Sequence, residues 1–471
     1  MKCDGKKKAI SWKHLLTLAL AMSLGACGDG SGPSASGGSG SGSGGGGGKT
    51  EKGPTTGKLL DAAVSGVGYA AASGATGTTD ENGIFKFNHG DTVEFKLGSL
   101  VLGKVPGAAI ITPMELAGDN DHRLRNLLVL FQSLDADGNP ANGISIPAAA
   151  ASALSASIKL DSEPAAFVAS PELQKAREAA GISGPVKTPV QATGHFLSQG
   201  MAMLSNQVWV KQDDGTASII RIAGTGANGA EYLQGEATPD DSCDTNRVCG
   251  GNLVSKAGVE YGTAHLSGVN NRGFKFAAKP VIDTNLQAGL SHPRPNWRVR
   301  SDGYNLITSD IFTVQRKREQ KSLFGELFHI AGTLEISSSK EPIKTEVKEI
   351  HFSPMENDPK GITGAWIADP ASMKTPMYLF FSNGKYMMVD PVGDVKTADH
   401  ESCGDPGVEF ASYTYDSGGK VLNIKGFTYD TNGCAGFSTN GPVSFSISAD
   451  GKTATLNMQD KNTLTLHRVS K

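Results

Sequence analysis

The chain has 471 residues, a hydrophobic content of 38%, 60 glycines, a formal net charge of −3 and a pI near 6.4. This length exceeds that of a typical single domain and predicts two to four domains. A net charge this close to zero provides no overall basic field, so the composition argues against a nucleic-acid-binding protein.

Residues 1–27 have the parts of an export signal: a lysine-rich start, an apolar run over 15–24, and small residues before Cys27. The run is shorter than the roughly 20 residues that span a bilayer. The segment resembles the signal peptide of bacterial lipoproteins. That resemblance implies cleavage before Cys27, fatty acylation (palmitate) of this residue, and a membrane partner held through the lipid anchor. An ordinary secretory peptide with an incidental cysteine is the alternative.

The residue after the acylated cysteine bears on location. Lipoproteins of the proteobacterial inner membrane usually have Asp there, whereas this chain has Gly28. The expected location is therefore the outer membrane, with the protein facing either the surface or the periplasm. Residues 28–53 are nearly all Gly and Ser. They predict a flexible tether with a root-mean-square reach of about 25–30 Å.

Residues 54–117 alternate apolar and polar side chains in short runs, which predicts β-strands. The segment Thr78–Phe85, with the turn sequence Asp-Glu-Asn-Gly, resembles the prealbumin-like (carboxypeptidase regulatory-like) β-sandwiches. Gly90–Val93 and Ile111–Pro113 extend the resemblance to a module of proteobacterial surface lipoproteins and adhesin-like proteins. The resemblance implies a stalk or spacer.

Residues 118–187 predict a helical linker, because Leu124, Leu127 and Phe131 recur at helical spacing. The linker contains the sequence Asp-Ala-Asp-Gly-Asn-Pro, whose oxygen-bearing side chains resemble a calcium loop. The pattern then fails, since Pro140 replaces the expected glycine and Ile146 the expected glutamate. A turn closed by Asx side chains is the favoured interpretation. The metal candidates of the chain are Asp135, Asp137 and Asn139.

Residues 188–353 predict a middle β domain in which short strands alternate with turns. Cys243 and Cys249 lie in a polar loop of this region. In an exported chain their spacing favours a disulfide over a zinc site. A basic cluster and an aromatic residue in a proline-rich loop are candidates for binding a phosphate, a sulfated sugar or an acidic partner: Arg316, Lys317, Arg318 and Trp297. A solvated hairpin tip is the alternative.

Residues 354–471 predict seven or eight short antiparallel strands, with a hairpin around Asn383-Gly384. After the opening Gly364-Ala365-Trp366, this pattern is loosely similar to the lipocalin-like β-barrels. It is more similar to a repeat of bacterial adhesin-like lipoproteins, through Val389–Pro391 and Tyr429–Gly436. The interior residues would form a packed core, which is favoured, or hold a small apolar ligand: Met387, Met388, Tyr413, Tyr415, Phe427 and Phe445. Cys403 and Cys434 predict a second disulfide.

Part of the C-terminal pattern recurs in the middle domain. Gly258–Thr263 resembles Gly407–Ser412, and Asp244–Asn246 repeats the letters of Asp430–Asn432. The middle domain is therefore expected to be a diverged and enlarged copy of the C-terminal barrel.

The sequence contains no nucleophile elbow, no His-Glu-x-x-His motif and no phosphate-binding loop. Asp416–Gly419 is explained by a hairpin turn, and the histidines show no spacing typical of metal ligands. We therefore predict a non-enzymatic protein without a cofactor. The expected partner is a protein, a glycan or a small apolar ligand, not a nucleic acid. A structural component of the envelope or of an extracellular assembly is the alternative, and a carbohydrate- or ester-active enzyme ranks below both.

The predicted fold class is mainly β with a helical insert: an N-terminal β-sandwich followed by one or two small antiparallel β-barrels.

Overall fold

The computed structural model describes residues 52–471 with gaps at 206, 214, 225–228, 238–247, 250–251, 254–256, 271–272, 286–297, 300–303, 317–327, 339–340, 395–403, 434–435, 439, 459–462 and 470–471. Over 298–351 it describes the backbone alone.

The described chain begins with eight short strands: β1 (Pro54–Leu59), β2 (Val64–Ser65), β3 (Gly68–Ala71), β4 (Thr76–Thr78), β5 (Ile84–Asn88), β6 (Thr92–Leu97), β7 (Leu100–Pro106) and β8 (Ile110–Ile111). Seven of them form a three-stranded sheet, β5-β1-β8, and a four-stranded sheet, β4-β3-β6-β7, whereas β2 lies outside both sheets. Phe85 of the first sheet contacts Tyr69 and Phe95 of the second, with ring centroids 6.0 and 5.0 Å apart. The N-terminal β-sandwich is therefore confirmed.

The turn predicted at Asp80–Gly83 forms, but it does not make a hairpin. Asp80 Oδ1 accepts hydrogen bonds from the amides of Asn82 and Ile84, and Gly83 adopts a φ of 72°. The flanking strands β4 and β5 belong to different sheets. The turn therefore carries the chain from one layer of the sandwich to the other.

The helical segment comprises α1 (Pro113–Ala117), α2 (Asp121–Ser133), α3 (Ala148–Ala153), α4 (Pro164–Val168), α5 (Pro171–Ala179) and α6 (Pro189–Leu204), with the short strand β9 (Ile144–Ser145). Strand β9 pairs in parallel with β2, so the segment is joined to the sandwich. Asn120 caps α2 by accepting a hydrogen bond from the amide of Arg123 (3.0 Å). No helix among the described residues is long and apolar enough to cross a bilayer.

Helix α6 corrects the sequence interpretation, which placed strands from residue 188 onward. Thr188 and Gln191 form a capping box and Pro189 takes the first turn, a combination that starts a helix. The buried face of α6 carries Phe196, whose ring lies 5.4 Å from that of Phe274 in the following β domain. One continuous apolar core therefore runs from the sandwich through α6 into that domain.

The middle β domain contains β10 (Val208–Asp213), β11 (Thr216–Ala223), β12 (Ala230–Ala237), β13 (Val248–Cys249), β14 (Asn252–Leu253), β15 (Gly258–Asn270), β16 (Gly273–Asp283), β17 (Arg298–Val299), β18 (Tyr304–Arg316), β19 (Phe328–Ser338) and β20 (Glu341–Pro354). The sheet order is β16-β15-β12-β11-β10-β20-β19-β18-β17. An additional pairing of β16 with β18 completes a ring of eight antiparallel strands.

The C-terminal domain is a closed eight-stranded barrel of sequentially paired strands: β21 (Gly364–Ile367), β22 (Met377–Phe380), β23 (Lys385–Asp390), β24 (Gly407–Asp416), β25 (Val421–Asp430), β26 (Val443–Ile447), β27 (Thr453–Asn457) and β28 (Thr463–Arg468). The predicted hairpin at Asn383-Gly384 joins β22 to β23, with Gly384 at a φ of 80°.

The two barrels share strand order and register. Trp209 pairs with Ile220 as Trp366 pairs with Tyr378, and Glu260 pairs with Asp283 as Glu409 pairs with Asp430. The register of both β15–β16 and β24–β25 shifts immediately after these positions. The middle domain thus has the same strand order and equivalent pairings as the C-terminal barrel. The segment of the middle domain at the place of Asp430–Asn432 is Asp283–Asn285; Asp244–Asn246, the segment compared with it in the sequence, lies outside the described residues.

The barrels pack against each other through the same outer face. Their shared apolar cluster contains equivalent residues from both copies: Val208 and Ala365, Ile219 and Met377, Leu233 and Met387, Val259 and Val408, and Tyr261 and Phe410. The arrangement corresponds to the isologous contact of a two-fold dimer, formed here within one chain.

Candidate functional site

The interior of the C-terminal barrel is a packed aromatic core. Phe380 is fully buried, and its ring centroid lies 5.2–5.6 Å from those of Tyr386, Tyr413 and Phe445. Trp366 contacts Phe445 at 5.6 Å, and the Arg468 guanidinium covers the indole at 4.0 Å. The side chains proposed to line the interior thus fill it, with one exception: Met387 points outward into the interface between the barrels.

One end of this core is closed by a buried carboxyl group. Glu409 is 0% exposed and accepts a hydrogen bond from the Tyr386 hydroxyl at 3.0 Å. The amides of Phe437 and Ser438 also donate to it, at 2.8–3.0 Å. A Cβ on Gly436 would lie 2.6 Å from the carboxylate, so glycine is needed for this close approach. Glu409 therefore holds the loop between β25 and β26 over the barrel end.

Burial perturbs the titration of this group. Desolvation raises the pKa of Glu409 to about 7, although its hydrogen-bond donors oppose the rise. The pKa of the Tyr386 phenol is raised well above its ordinary value, first by desolvation and then by the nearby Glu409 charge. A perturbed pKa is typical of catalytic groups. Here, however, the carboxyl group is enclosed by core residues and backbone amides, which is typical of a structural group.

The middle barrel repeats the arrangement. Tyr232 donates to Glu260 at 3.1 Å, and both residues are fully buried. A second hydrogen bond also recurs, from a valine amide to the threonine hydroxyl of the Asp-Thr-Asn segment. The Val259 amide donates to Thr284 at 2.9 Å, and the Val408 amide donates to Thr431 at 2.8 Å. The features retained between the copies thus support the fold and do not define a shared ligand site.

A sequence signal for this repeat exists and was missed. Asp283–Ser291 reads DTNLQAGLS and Asp430–Ser438 reads DTNGCAGFS, with six identical letters in nine. The spacing from the preceding Gly-Val-Glu segment differs by only two residues between the copies.

The acidic loop of residues 135–142 adopts the predicted Asx turn. Asp137 accepts hydrogen bonds from the Asn139 amide (2.8 Å) and the Asn142 side chain (2.9 Å). Asp135 is 1% exposed; its Oδ1 accepts the Ser145 amide at 2.9 Å, and its Oδ2 is buried without a hydrogen-bond partner. Desolvation, with a smaller contribution from Asp137, raises the pKa of Asp135 to about 6. Within the described part of the chain, no three His, Cys, Asp or Glu side chains converge.

A surface cleft of about 490 Å³ lies between β7 and the loop that follows α3. Its central cation, Arg123, is already engaged. The guanidinium pairs with Asp161 at 3.0 Å and donates to the carbonyls of Val101 and Leu102. The arginine therefore supports the cleft wall and is not available to an anionic ligand.

A second buried acid joins the sandwich to the helices. Asp61 is 0% exposed and accepts hydrogen bonds from the Gln132 side chain at 3.0 and 3.3 Å, while His195 Nε2 lies 2.6 Å from its backbone carbonyl. Desolvation raises the pKa of Asp61 well above its usual value and lowers that of His195. Burial thus favours the neutral form of both groups, which connect the sandwich to helices α2 and α6.

The remaining predicted site residues fall mostly outside the described residues: Cys27, Cys243, Trp297, Lys317, Arg318, Cys403 and Cys434. Cys249 and Arg316 are described by their backbone only. Arg298, next to Trp297, pairs with Leu306 near the start of β18, whereas Arg316 ends that strand.

No family model, no curated protein and no solved structure matches this chain.

Proposed function

We propose that the protein is a lipid-anchored envelope lipoprotein that acts by non-enzymatic binding or adhesion, with the folded modules held away from the membrane by the Gly/Ser tether. The observation that carries this proposal is the packed interior of the C-terminal barrel. Since aromatic rings fill the space in which a lipocalin-like carrier holds its ligand, recognition falls to the outer surface and the loops. A protein or glycan partner is favoured over a small apolar ligand.

The packing of the modules supports the same proposal. One apolar cluster joins the sandwich, the helices and the middle barrel, and a second joins the two barrels. Residues 50–471 form one compact unit by their contacts. A single body on a tether suits a protein that presents a surface to a partner, whereas a hinged enzyme would need mobile domains around its active site.

The anchor and its orientation are tested in the host cell. We expect the native protein in the outer-membrane fraction and the Cys27→Ser variant in the soluble fraction, because only the native chain carries the lipid. Protease added to intact cells should remove a surface-exposed protein and spare a periplasmic one. Recovery of the native chain in the cytosol with its leader attached would refute the proposal.

The basic cluster is tested by binding to heparin, a soluble sulfated glycan. Replacement of Arg316, Lys317 and Arg318 by Ala should lower retention if this cluster contacts the partner. The charge-matched control replaces Lys86, Lys96 and Lys104, which are exposed on the sandwich. Equal retention of both triple variants would remove the cluster from the proposal.

A structural role in the envelope is the second candidate, because the same continuous packing suits a building block. Crosslinking of intact cells separates the two functions. A structural component should be recovered in complexes of fixed stoichiometry, whereas a binding protein should be recovered with partners only when the partner is supplied.

A further inference from the structure

We propose that the open edge of strand β25 pairs with the same edge of a second copy of this chain, which joins two molecules through their C-terminal barrels. The edge begins at the seam with β26, where Val421 and Leu422 are the residues of β25 that pair with that strand. Strand β25 continues to Asp430. Beyond the seam, no described segment pairs with its outer side. Residues 423–430 thus form a free strand edge, the β25 edge.

The buried carboxyl group of Glu409 explains why this edge is open. If the pairing of β25 with β26 continued in register, Phe437 would lie opposite Thr428. Instead, the Phe437 amide donates to Glu409 at 2.9 and 3.0 Å. The Phe437 ring packs in the core, 5.5 Å from that of Tyr386. The chain before β26 is therefore drawn over the end of the barrel and leaves β25 without a neighbour on that side.

The backbone of the β25 edge is available for pairing. The Thr431 amide donates to a carbonyl of β24. Since successive strand residues turn their amide and carbonyl groups to opposite sides, those of Asp430 point outward, as do those of Thr428. Lys425, Thr428 and Asp430 are exposed, and a Cβ on Gly426 would meet nothing within 4 Å. A second strand therefore has both the space and the hydrogen-bonding groups that it needs.

The equivalent edge of the middle barrel is protected by a proline. Lys279 of β16 and Lys425 of β25 occupy equivalent positions in the two barrels. The next residue is Pro280 in the middle barrel and Gly426 in the C-terminal barrel. Proline has no amide to donate, and proteins place it on edge strands to prevent pairing with other chains. Glycine at this place leaves the amide of the β25 edge available.

The charges of the edge select a second copy as the partner. Lys425 lies near one end of the β25 edge and Asp430 at the other, and both side chains are exposed. Two copies that pair antiparallel place Lys425 of each at the end that carries Asp430 of the other, so opposite charges meet at both ends. A parallel copy would bring like charges together. Because the antiparallel contact is two-fold symmetric, it closes at the dimer.

Sedimentation of the full chain, purified from its host in detergent, tests the pairing at increasing protein concentration. The β25 edge is smaller than a standard interface, so we expect a weak dimer, with a Kd of about 10⁻⁵–10⁻⁴ M. Thr428→Pro should raise the Kd by about tenfold or more, because proline removes an amide donor from the edge. The matched control is Thr428→Ala, which keeps the amide and should dimerise like the native protein.

Charge reversal gives a test that is independent of proline. Lys425→Asp and Asp430→Lys, each alone, place like charges at both ends of the contact and should raise the Kd by about three- to tenfold. The double variant restores opposite charges and should dimerise with nearly the native Kd. An equimolar mixture of the two single variants should form heterodimers for the same reason.

Three results would overturn the proposal. A native protein that stays monomeric up to about 1 mM, roughly ten times the weakest expected Kd, has an edge that is covered by water and not by a second copy. Dimers that tolerate Thr428→Pro form through another surface. Weakening by the single reversals that the double variant does not relieve excludes the antiparallel arrangement of two copies.

Discussion

The buried carboxyl group of Glu409 should make the stability of the protein depend on pH. Its pKa in the folded protein is about 7, above the ordinary value of 4.5, because burial penalises the charged form. Between these two values the unfolded chain loses its proton while the folded chain retains it. The free energy of unfolding should therefore fall as pH rises from 4.5 to 7, by on the order of 3 kcal/mol.

The Glu409→Gln variant tests this pH dependence. Glutamine cannot ionise, so the contribution of this position to the slope should vanish, even though the variant is less stable overall because one acceptor oxygen is lost. Urea denaturation of both proteins at pH 5 and pH 8 gives the comparison. If the two proteins lose equal stability over this range, Glu409 is not the group responsible.

The loop held by Glu409 also carries a cysteine. Gly404 and Gly433 form an antiparallel bridge, and the Asp405 amide donates to the Asn432 carbonyl at 3.0 Å. These neighbours support the disulfide predicted between Cys403 and Cys434, residues that themselves lie outside the described part of the chain. We expect a bridged peptide by non-reducing mass spectrometry, and a loss of about 3–4 kcal/mol in stability when both cysteines are replaced by Ser. Two free thiols in the protein purified from its host would contradict the prediction.

Single residues were predictable from sequence where the signal is local. The Asx turn at Asp137, for example, depends only on its immediate neighbours. The bond between Tyr386 and Glu409 does not, since it joins residues on two strands and depends on their register. The unsatisfied oxygen of Asp135 is likewise visible only once the surrounding chain is folded.

Helix α6 allows a matched pair of substitutions at the scale of a single element. A Cβ on Gly200 would lie 2.6 Å from Cζ of Phe274, whereas a Cβ on Gly194 would meet nothing within 4 Å. Gly194→Ala should therefore stabilise the protein by about 0.5–1 kcal/mol, because alanine favours the helix. Gly200→Ala should destabilise it despite the same helical gain. Chemical denaturation measures both, and stabilisation by Gly200→Ala would show that α6 does not pack on β16 as described.

Elements were predictable to different degrees for physical reasons. The hairpin at Gly384 follows from an Asn-Gly pair between two apolar runs. Helix α6 was overlooked because its core face includes small residues such as Gly200, which weaken the periodic apolar signal, and only its capping box marks its start. The turn at Asp80 was predicted as a turn, but whether a turn joins paired strands or separate sheets depends on long-range packing.

The contact between the barrels offers a test at the scale of the whole molecule. Gly235 and Val389 occupy equivalent positions, and a Cβ on Gly235 would lie 2.5 Å from Cγ2 of Val389. Gly235→Val should overfill the interface and destabilise the protein by about 1–3 kcal/mol. Adding Val389→Gly exchanges the two side chains and should restore part of the loss. A double-mutant cycle without coupling between these positions would argue against the contact.

The fold class was predictable because it depends on composition and on short alternating runs. The pairing of the barrels was not recognised, although a trace of it is present in the sequence. Strands β11 and β23 are buried on both faces. Their residues 217–222 and 386–389 are therefore mostly apolar, whereas a strand with one face in water would alternate apolar and polar residues. Which surface covers such a strand is decided by the assembled molecule.

Each barrel consists of two curved sheets that meet at narrow seams. In the C-terminal barrel, β21 joins β28 and β25 joins β26 through two residue pairs each; the equivalent seams of the middle barrel have two and three pairs. The five-stranded halves lie against each other and protect one another. Among the described side chains, those of β26–β28 take no part in that contact. The backbone amides of these uncovered strands should therefore exchange with deuterium faster than those of the covered strands, because the uncovered side of the barrel opens more readily.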